Sequence, residues 1–182
     1  MSQEARVLVR SAGHGDLKRV LEIAVKTLGS FHRHYVERTF WQAKTLVAES
    51  SGVIAGFAQF RRLKAGKSTI VAIVYIAVDP LQQRSGIGST LLKAVEGEAV
   101  KRGASMVVAT TTEANEVSKS FFSKHGYKLM KFSEVEKQFG HKALFELINL
   151  LQAYEDNLLM YKELSEDAAT SFFNELKSLE SF

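Results

Sequence analysis

Gln83-Arg84-Ser85-Gly86-Ile87-Gly88 stands between an apolar stretch, Ile70 to Val78, and a helix-like segment, Ser89 to Arg102. An apolar run, a glycine-bearing turn and a helix in that order read as a cradle for a pyrophosphate. The two glycines remove the Cβ atoms that would hold a phosphate away from the main chain, and they let successive N–H groups turn inward. The helix adds unpaired N-terminal amides and the positive end of its dipole, so the junction favours an anion before any side chain is counted.

Neighbouring residues restrict the choice of anion. A dinucleotide fingerprint requires a third glycine three residues after Gly88, where Leu91 stands, and an acidic strand end about twenty residues on, which is lacking. Gly66-Lys67-Ser68 looks like the end of a phosphate loop, but the first glycine of that motif would fall on Arg61. Leu63 to Ser68 is read instead as a hairpin connection.

The run resembles the Q/R-x-x-G-x-G/A signature of the GNAT superfamily of acyl-CoA-dependent N-acetyltransferases, with Gln83, Gly86 and Gly88 in the defining places. Downstream, that family has a strand, an Asn, a helix with a small residue three after the Asn, an aromatic pair and a closing Gly-aromatic. Met106 to Thr110, Asn115, Ser118, Phe121-Phe122 and Gly126-Tyr127 take those places, and Tyr75 to Pro80 resembles the family's fourth strand and its exit. The resemblance covers about residues 5 to 163. It implies an α/β (mixed α+β) GNAT fold: a twisted, mainly antiparallel seven-stranded sheet with helices on both faces, splayed between Thr69–Val78 and Met106–Thr110.

Bulk composition agrees with one domain over residues 1–182, because 46% hydrophobic content in 182 residues is enough to bury one core and short for two. There are no cysteines, which excludes disulfides, thiolate metal sites and a cysteine nucleophile, and no metal is expected. Met1 to Arg10 carries Glu4, Arg6 and Arg10 without an apolar core, and no run of membrane-spanning length follows, so the expectation is a cytoplasmic protein away from membranes. Residues 1–149 hold 22 Lys and Arg against 13 Asp and Glu, whereas residues 150–182 hold 2 against 7. A basic front would help collect a phosphate-rich coenzyme, or is simply a solvated surface. It carries no helix-turn-helix or RNA-binding signature, so no nucleic acid is expected.

Periodicity supplies the remaining elements. Val7 to Arg10 reads as a strand, and Leu17, Val20, Leu21, Ala24, Val25 and Leu28 form a helical stripe with Asp16 as its N-cap. Phe31 to Trp41 reads as a second helix, Thr45–Glu49 with Val53–Arg61 as a hairpin, and Thr69–Val78 as a central strand with both faces apolar. After Ser89–Arg102 and Met106–Thr110, a short helix Glu116–His125 and a strand Tyr127–Phe132 follow. Ser133-Glu134-Val135-Glu136 has the form of a capping box, so an extra helix is expected from there to about Tyr154, running through Gly140. In the family the last two strands are joined by a short loop that borders the acceptor pocket, so this inserted segment, Ser133 to Asn157, would either wall that pocket or serve packing. Leu158–Glu163 closes the sheet, and residues 164–182 form a C-terminal amphipathic helix whose Phe172/Phe173 stripe, if exposed, would favour a homodimer.

The resemblance also implies a chemistry: direct transfer of an acetyl group from acetyl-CoA to a primary amine acceptor. In that reading Arg84 to Ser89, with Ser85, Gly86, Ile87 and Gly88, hold the pyrophosphate, and Gln83 belongs to the same motif. Main-chain groups of Ile76 and Val78 hold the pantetheine, the Val78 N–H serves the oxyanion, Asn115 bonds the pantetheine arm, and Ser118 and Phe122 pack beside it. The family's usual acid and bases are missing: its Tyr is Phe122 here, and its two alternative Glu positions are Thr110 and Ala72. Glu49, Glu113, His32 and His34 are alternative bases, and Tyr75 or Tyr161 an alternative acid. The absent groups motivate a second reading, an acyl-CoA-binding sensor or assembly module without turnover.

Overall fold

The computed structural model describes residues 7–179, which form a mixed α/β fold. Its elements are β1 (Val7–Ser11), α1 (Leu17–Leu28), α2 (Arg33–Gln42), β2 (Lys44–Ser50), β3 (Val53–Ala65), β4 (Ser68–Val78), α3 (Ile87–Lys101), β5 (Met106–Thr111), α4 (Glu116–Lys124), β6 (Lys128–Lys131), α5 (Phe132–Phe139), α6 (His141–Leu151), β7 (Leu158–Glu163) and α7 (Ala168–Ser178). The strands make one sheet in the order β1-β2-β3-β4-β5-β7-β6. β1 with β2, β2 with β3, β5 with β7 and β6 with β7 are antiparallel, and Tyr161 of β7 stands opposite Val108 on one side and Lys128 on the other.

Two compact units divide the chain. The first comprises residues 1–61 and 73–97, the second residues 62–72 and 98–182. In the first, Val20, Leu21, Ile23 and Ala24 of α1 are buried with Val36 and Phe40 of α2 and with Val47, Phe57 and Ala77 of the strands. Fully burying a Val, Leu, Ile or Phe side chain stabilises by about 1.5–3 kcal/mol, so this stripe fixes α1 on the strands. Gly56 of β3 is required by packing: a Cβ there would stand 2.8 Å from the Ala77 carbonyl oxygen, 3.1 Å from Leu91 Cδ1 and 3.2 Å from Ile87 Cγ2. The strand glycine thereby lets the start of α3 settle close to the main chain.

The second unit is organised around Met106 and Val108 of β5, Leu159 and Tyr161 of β7, Phe132 and Val135 of α5, Ala143 and Leu147 of α6, and Phe172, Phe173 and Leu176 of α7. Phe139 stacks on Phe173 with ring centroids 4.3 Å apart. The insertion between the last two strands is therefore core-forming, its apolar face meeting α7.

Several expectations change. Phe172 and Phe173 are fully buried, so they offer no dimer face. The insertion is two helices, α5 and α6, because Gly140 adopts φ 94° and ends the first. Its cap is displaced by two residues: Glu134 accepts from the Lys131 N–H, while Ser133 and Glu136 lie inside the helix. Asp16 is the N-cap residue of α1 as expected, but its side chain does not cap the helix, since its carboxylate accepts from the Gly13 N–H and from Arg10. The Leu63–Ser68 connection shrinks to Gly66-Lys67, with β3 running on to Ala65 and β4 starting at Ser68. The C-terminal helix starts at Ala168, later than expected, and residues 1–6 and 180–182 lie outside the described residues.

Candidate functional site

The site is built from the end of β4 onward. Val74, Tyr75, Ile76 and Val78 are half-buried or exposed while Ala77 is buried, so the last residues of the strand lie near the surface. Asp79 then turns the chain. Its N–H donates to the Ala55 carbonyl at 2.8 Å, and its carboxylate accepts from the Leu81 N–H at 3.1 Å, capping the short helical turn Pro80–Gln82. Pro80 suits the first position of that turn because it has no N–H to satisfy.

Gln83 folds back on the strand. Its Nε2 donates to the Val78 carbonyl at 3.2 Å, so the residue that begins the glycine motif braces the loop against β4. Ser85 donates its hydroxyl to the Gln82 carbonyl. Arg84 and Gly86 both have positive φ, 60° and 82°, and a Cβ at Gly86 would meet open space. Gln83, Arg84, Ser85 and Gly86 are all exposed, whereas Ile87 is buried and pins the start of α3. The first main-chain bond of that helix joins the Thr90 N–H to the Gly86 carbonyl at 3.0 Å. The amides of Ile87 and Gly88 therefore precede the ladder and point their N–H groups out of the helix end, where an anion is stabilised.

Asp79 is the one buried carboxylate among the described residues. Arg19 of α1 donates to it through Nη2 at 2.6 Å and to the Ile54 carbonyl through Nε at 3.1 Å, and Lys26 Nζ lies 3.5 Å from it. The Leu81 N–H, assisted by Arg19 and Lys26, holds its carboxyl below the usual carboxylate range in spite of burial. Neither Arg19 nor Asp79 stands out as functional in the sequence; the only hint is that Asp79 sits between an apolar run and a proline.

The sequence-nominated acids and bases are placed as follows. Tyr75 is half-buried, its hydroxyl 3.4 Å from His32 Nδ1, and His34 is exposed. Glu49 accepts from Arg10 Nε at 2.9 Å, and Arg10 also binds Asp16, so this carboxylate is committed to an ion pair.

In the second unit Glu113 pairs with Lys131 Nζ at 2.7 Å. Asn115 caps α4: its Oδ1 accepts from the Ser118 N–H at 3.1 Å and its Nδ2 donates to Thr111 Oγ1 at 3.0 Å. Phe122 is buried edge-on to Tyr127, ring centroids 4.9 Å apart. Tyr161 is buried too, and burial raises its hydroxyl above the ordinary tyrosine value. The Thr110 hydroxyl donates to Asp156 at 2.6 Å, which brings a carboxylate to a strand position that lacks one of its own. That contact spans 46 residues of chain and leaves no sequence signal. Among the described residues there is no group of three or more His, Asp or Glu arranged to hold a metal, and no helix is long and apolar enough to cross a membrane.

The profile described as "Acetyltransferase (GNAT) family" matches residues 17–127. With more than half of the chain matched, the protein belongs to the GNAT family of acetyltransferases. Solved structures share the fold. A proposed GNAT-family acetyltransferase from Desulfovibrio desulfuricans superimposes with a TM-score of 0.69 at 16% identity, over 88% of this chain and 100% of that one. The ribosomal-protein-S18-alanine N-acetyltransferase of Escherichia coli gives 0.62 at 19% identity, over 88% and 95%. PaiA N-acetyltransferase of Thermoplasma acidophilum, solved in complex with coenzyme A, gives 0.62 at 16% identity, over 87% and 99%. No curated protein sequence matches this chain.

Proposed function

We propose that the protein transfers an acetyl group from acetyl-CoA to a primary amine by direct attack within a ternary complex. The observation that carries this reading is the exposed bend Gln83–Gly86 running into α3, with Gly86 at φ 82° and the Ile87 and Gly88 amides ahead of the helical ladder. Arg84 to Ser89 hold the pyrophosphate. Because the Val78 carbonyl already accepts from Gln83, the contribution left to Val78 is its N–H, aimed at the developing oxyanion, while the main chain of Ile76 holds the pantetheine.

The reaction needs an amine nitrogen freed of its proton, attack on the thioester carbon, cleavage of the C–S bond and a proton for the leaving thiolate. Glu49 and Glu113 are both ion-paired, so the ammonium proton leaves through water. Tyr75 beside His32 is the proton donor to sulfur. Supporting this are the family membership and the coenzyme A complex of the Thermoplasma relative.

A second reading, an acyl-CoA-binding sensor, is favoured by the buried Phe122 where a tyrosine would supply the acid. Thiol release from acetyl-CoA with a panel of amines, polyamines, aminoglycosides and peptide N-termini separates the two. Turnover with any acceptor supports the enzyme; tight cofactor binding with no turnover across the panel supports the sensor.

A further inference from the structure

The Val78–Asp79 peptide is held on both sides. Its carbonyl accepts from Gln83 Nε2 and its N–H donates to the Ala55 carbonyl. The Asp79 side chain adds further ties: one oxygen caps the turn that leads into the bend, and the other binds Arg19 of α1 at 2.6 Å, with Lys26 Nζ 3.5 Å from it. Arg19 is in turn fixed to the Ile54 carbonyl, next to the residue that receives the Asp79 N–H. One buried carboxylate thus links α1, β3, the end of β4 and the start of the bend, all within the first unit.

Stability alone is a poor explanation for such a group. A buried ion pair pays heavily for desolvation, and well-packed apolar residues of similar volume often stabilise as well or better. What apolar residues could not do is set the direction of a peptide through a charged fork bound at once to the Ile54 carbonyl of β3 and to the Asp79 carboxylate just past β4. We propose that Arg19 and Asp79 are positioning residues of the acetyl transfer, a latch that fixes the Val78–Asp79 peptide and with it both the Val78 main chain and the entry to the pyrophosphate bend. The proposal rests on the function proposed above. It assigns neither residue a contact with substrate; both act through Val78 and the bend.

The test uses the full chain with Asp79→Asn, Arg19→Met, the conservative Arg19→Lys and the double variant Arg19→Met/Asp79→Asn. Asn at position 79 keeps the oxygen that caps Leu81 but drops the charge that Arg19 binds. Coenzyme A affinity by calorimetry, kcat and KM for acetyl-CoA are measured at a temperature where circular dichroism shows every variant folded. The latch predicts that each of Asp79→Asn and Arg19→Met lowers kcat/KM roughly ten- to a hundredfold, because small misplacements of a remote positioning group act on the rate. Arg19→Lys should recover part of that loss, and the double variant should be no worse than either single one. A lowered melting temperature with unchanged kcat, KM and coenzyme affinity would mean the pair is structural only and would overturn the proposal, as would additive losses in the double variant. If the unaltered protein binds no coenzyme A, the functional reading fails first; if it binds and turns over while the variants match it, the latch alone fails.

Discussion

Gln83 Nε2 donates to the carbonyl of Val78 at 3.2 Å, closing a loop over the four residues Asp79–Gln82 at the end of β4. The bond gives the leading glutamine of the glycine motif a mechanical role, since it holds the bend in place rather than reaching into it. Gln83→Leu should leave the melting temperature nearly unchanged, because the side chain is exposed, and weaken coenzyme A binding by about 0.5–1.5 kcal/mol, the net worth of one hydrogen bond. A calorimetric titration reads this as a few-fold to about tenfold rise in Kd; an unchanged Kd would remove the bracing role.

Gly86 separates two effects. At φ 82° any Cβ costs about 1–2 kcal/mol of backbone strain, yet the space around it is open. Gly86→Ala should therefore lower stability modestly and keep measurable coenzyme affinity. Gly86→Glu adds a carboxylate in the place of the diphosphate and should abolish binding without unfolding the chain. Equal affinities for the two variants in a titration would contradict the placement of the phosphate.

Gly56 is a packing requirement. The missing Cβ would collide with the Ala77 carbonyl and crowd Ile87 and Leu91, so Gly56→Ala should destabilise by about 1–3 kcal/mol, the usual range for overpacking. Chemical denaturation reads it directly, and a loss under about 0.5 kcal/mol would show that β3 and α3 can part without strain.

The acid limb of stability should report Asp79. Its carboxyl is depressed in the folded protein by the Leu81 N–H and Arg19. A depressed folded value means the ionised carboxylate stabilises fully above the unfolded value of about 3.9 and loses that contribution as pH falls through the folded value. The stability gap between the unaltered protein and Asp79→Asn should be widest near neutral pH and narrow below about pH 4. A gap of constant size from pH 7 to pH 3, followed by urea unfolding, would mean that the charge on Asp79 contributes nothing.

Local grammar made most of the fold legible. The stripe from Leu17 to Leu28, the β7 limits Leu158–Glu163 and the order of strands and helices follow from periodicity and turn residues, and the exposed bend before α3 from its two glycines. What escaped depends on contacts distant in sequence. Phe172 and Phe173 look like an exposed stripe until α5 and α6 are placed against them. Asp16 has the right spacing for an N-cap, but Arg10 and Gly13 claim its carboxylate. Ser133-x-x-Glu136 matches a capping box in the wrong frame, because the helix starts one residue before Ser133 and Glu134 closes on Lys131. The Arg19–Asp79 and Thr110–Asp156 pairs bridge 60 and 46 residues, beyond the reach of any periodic pattern.

The Thr110–Asp156 contact suggests one kinetic experiment. No ion pair engages Asp156 among the described residues, unlike Glu49 and Glu113; its carboxylate accepts from the Thr110 hydroxyl. With the amine proton leaving through water, Asp156→Asn should keep turnover and coenzyme affinity within a few-fold of the unaltered protein; a loss of roughly 10²-fold in turnover with affinity intact would make Asp156 a base and contradict the water route.

Titration calorimetry comparing coenzyme A with pantetheine, which lacks the diphosphate, addresses the main-chain anion site most directly. Coenzyme A should bind one to one and pantetheine far more weakly, with the difference lost in Gly86→Glu. Equal affinity for both ligands, or no heat with coenzyme A, would contradict the assignment of the Gln83–Ser89 bend.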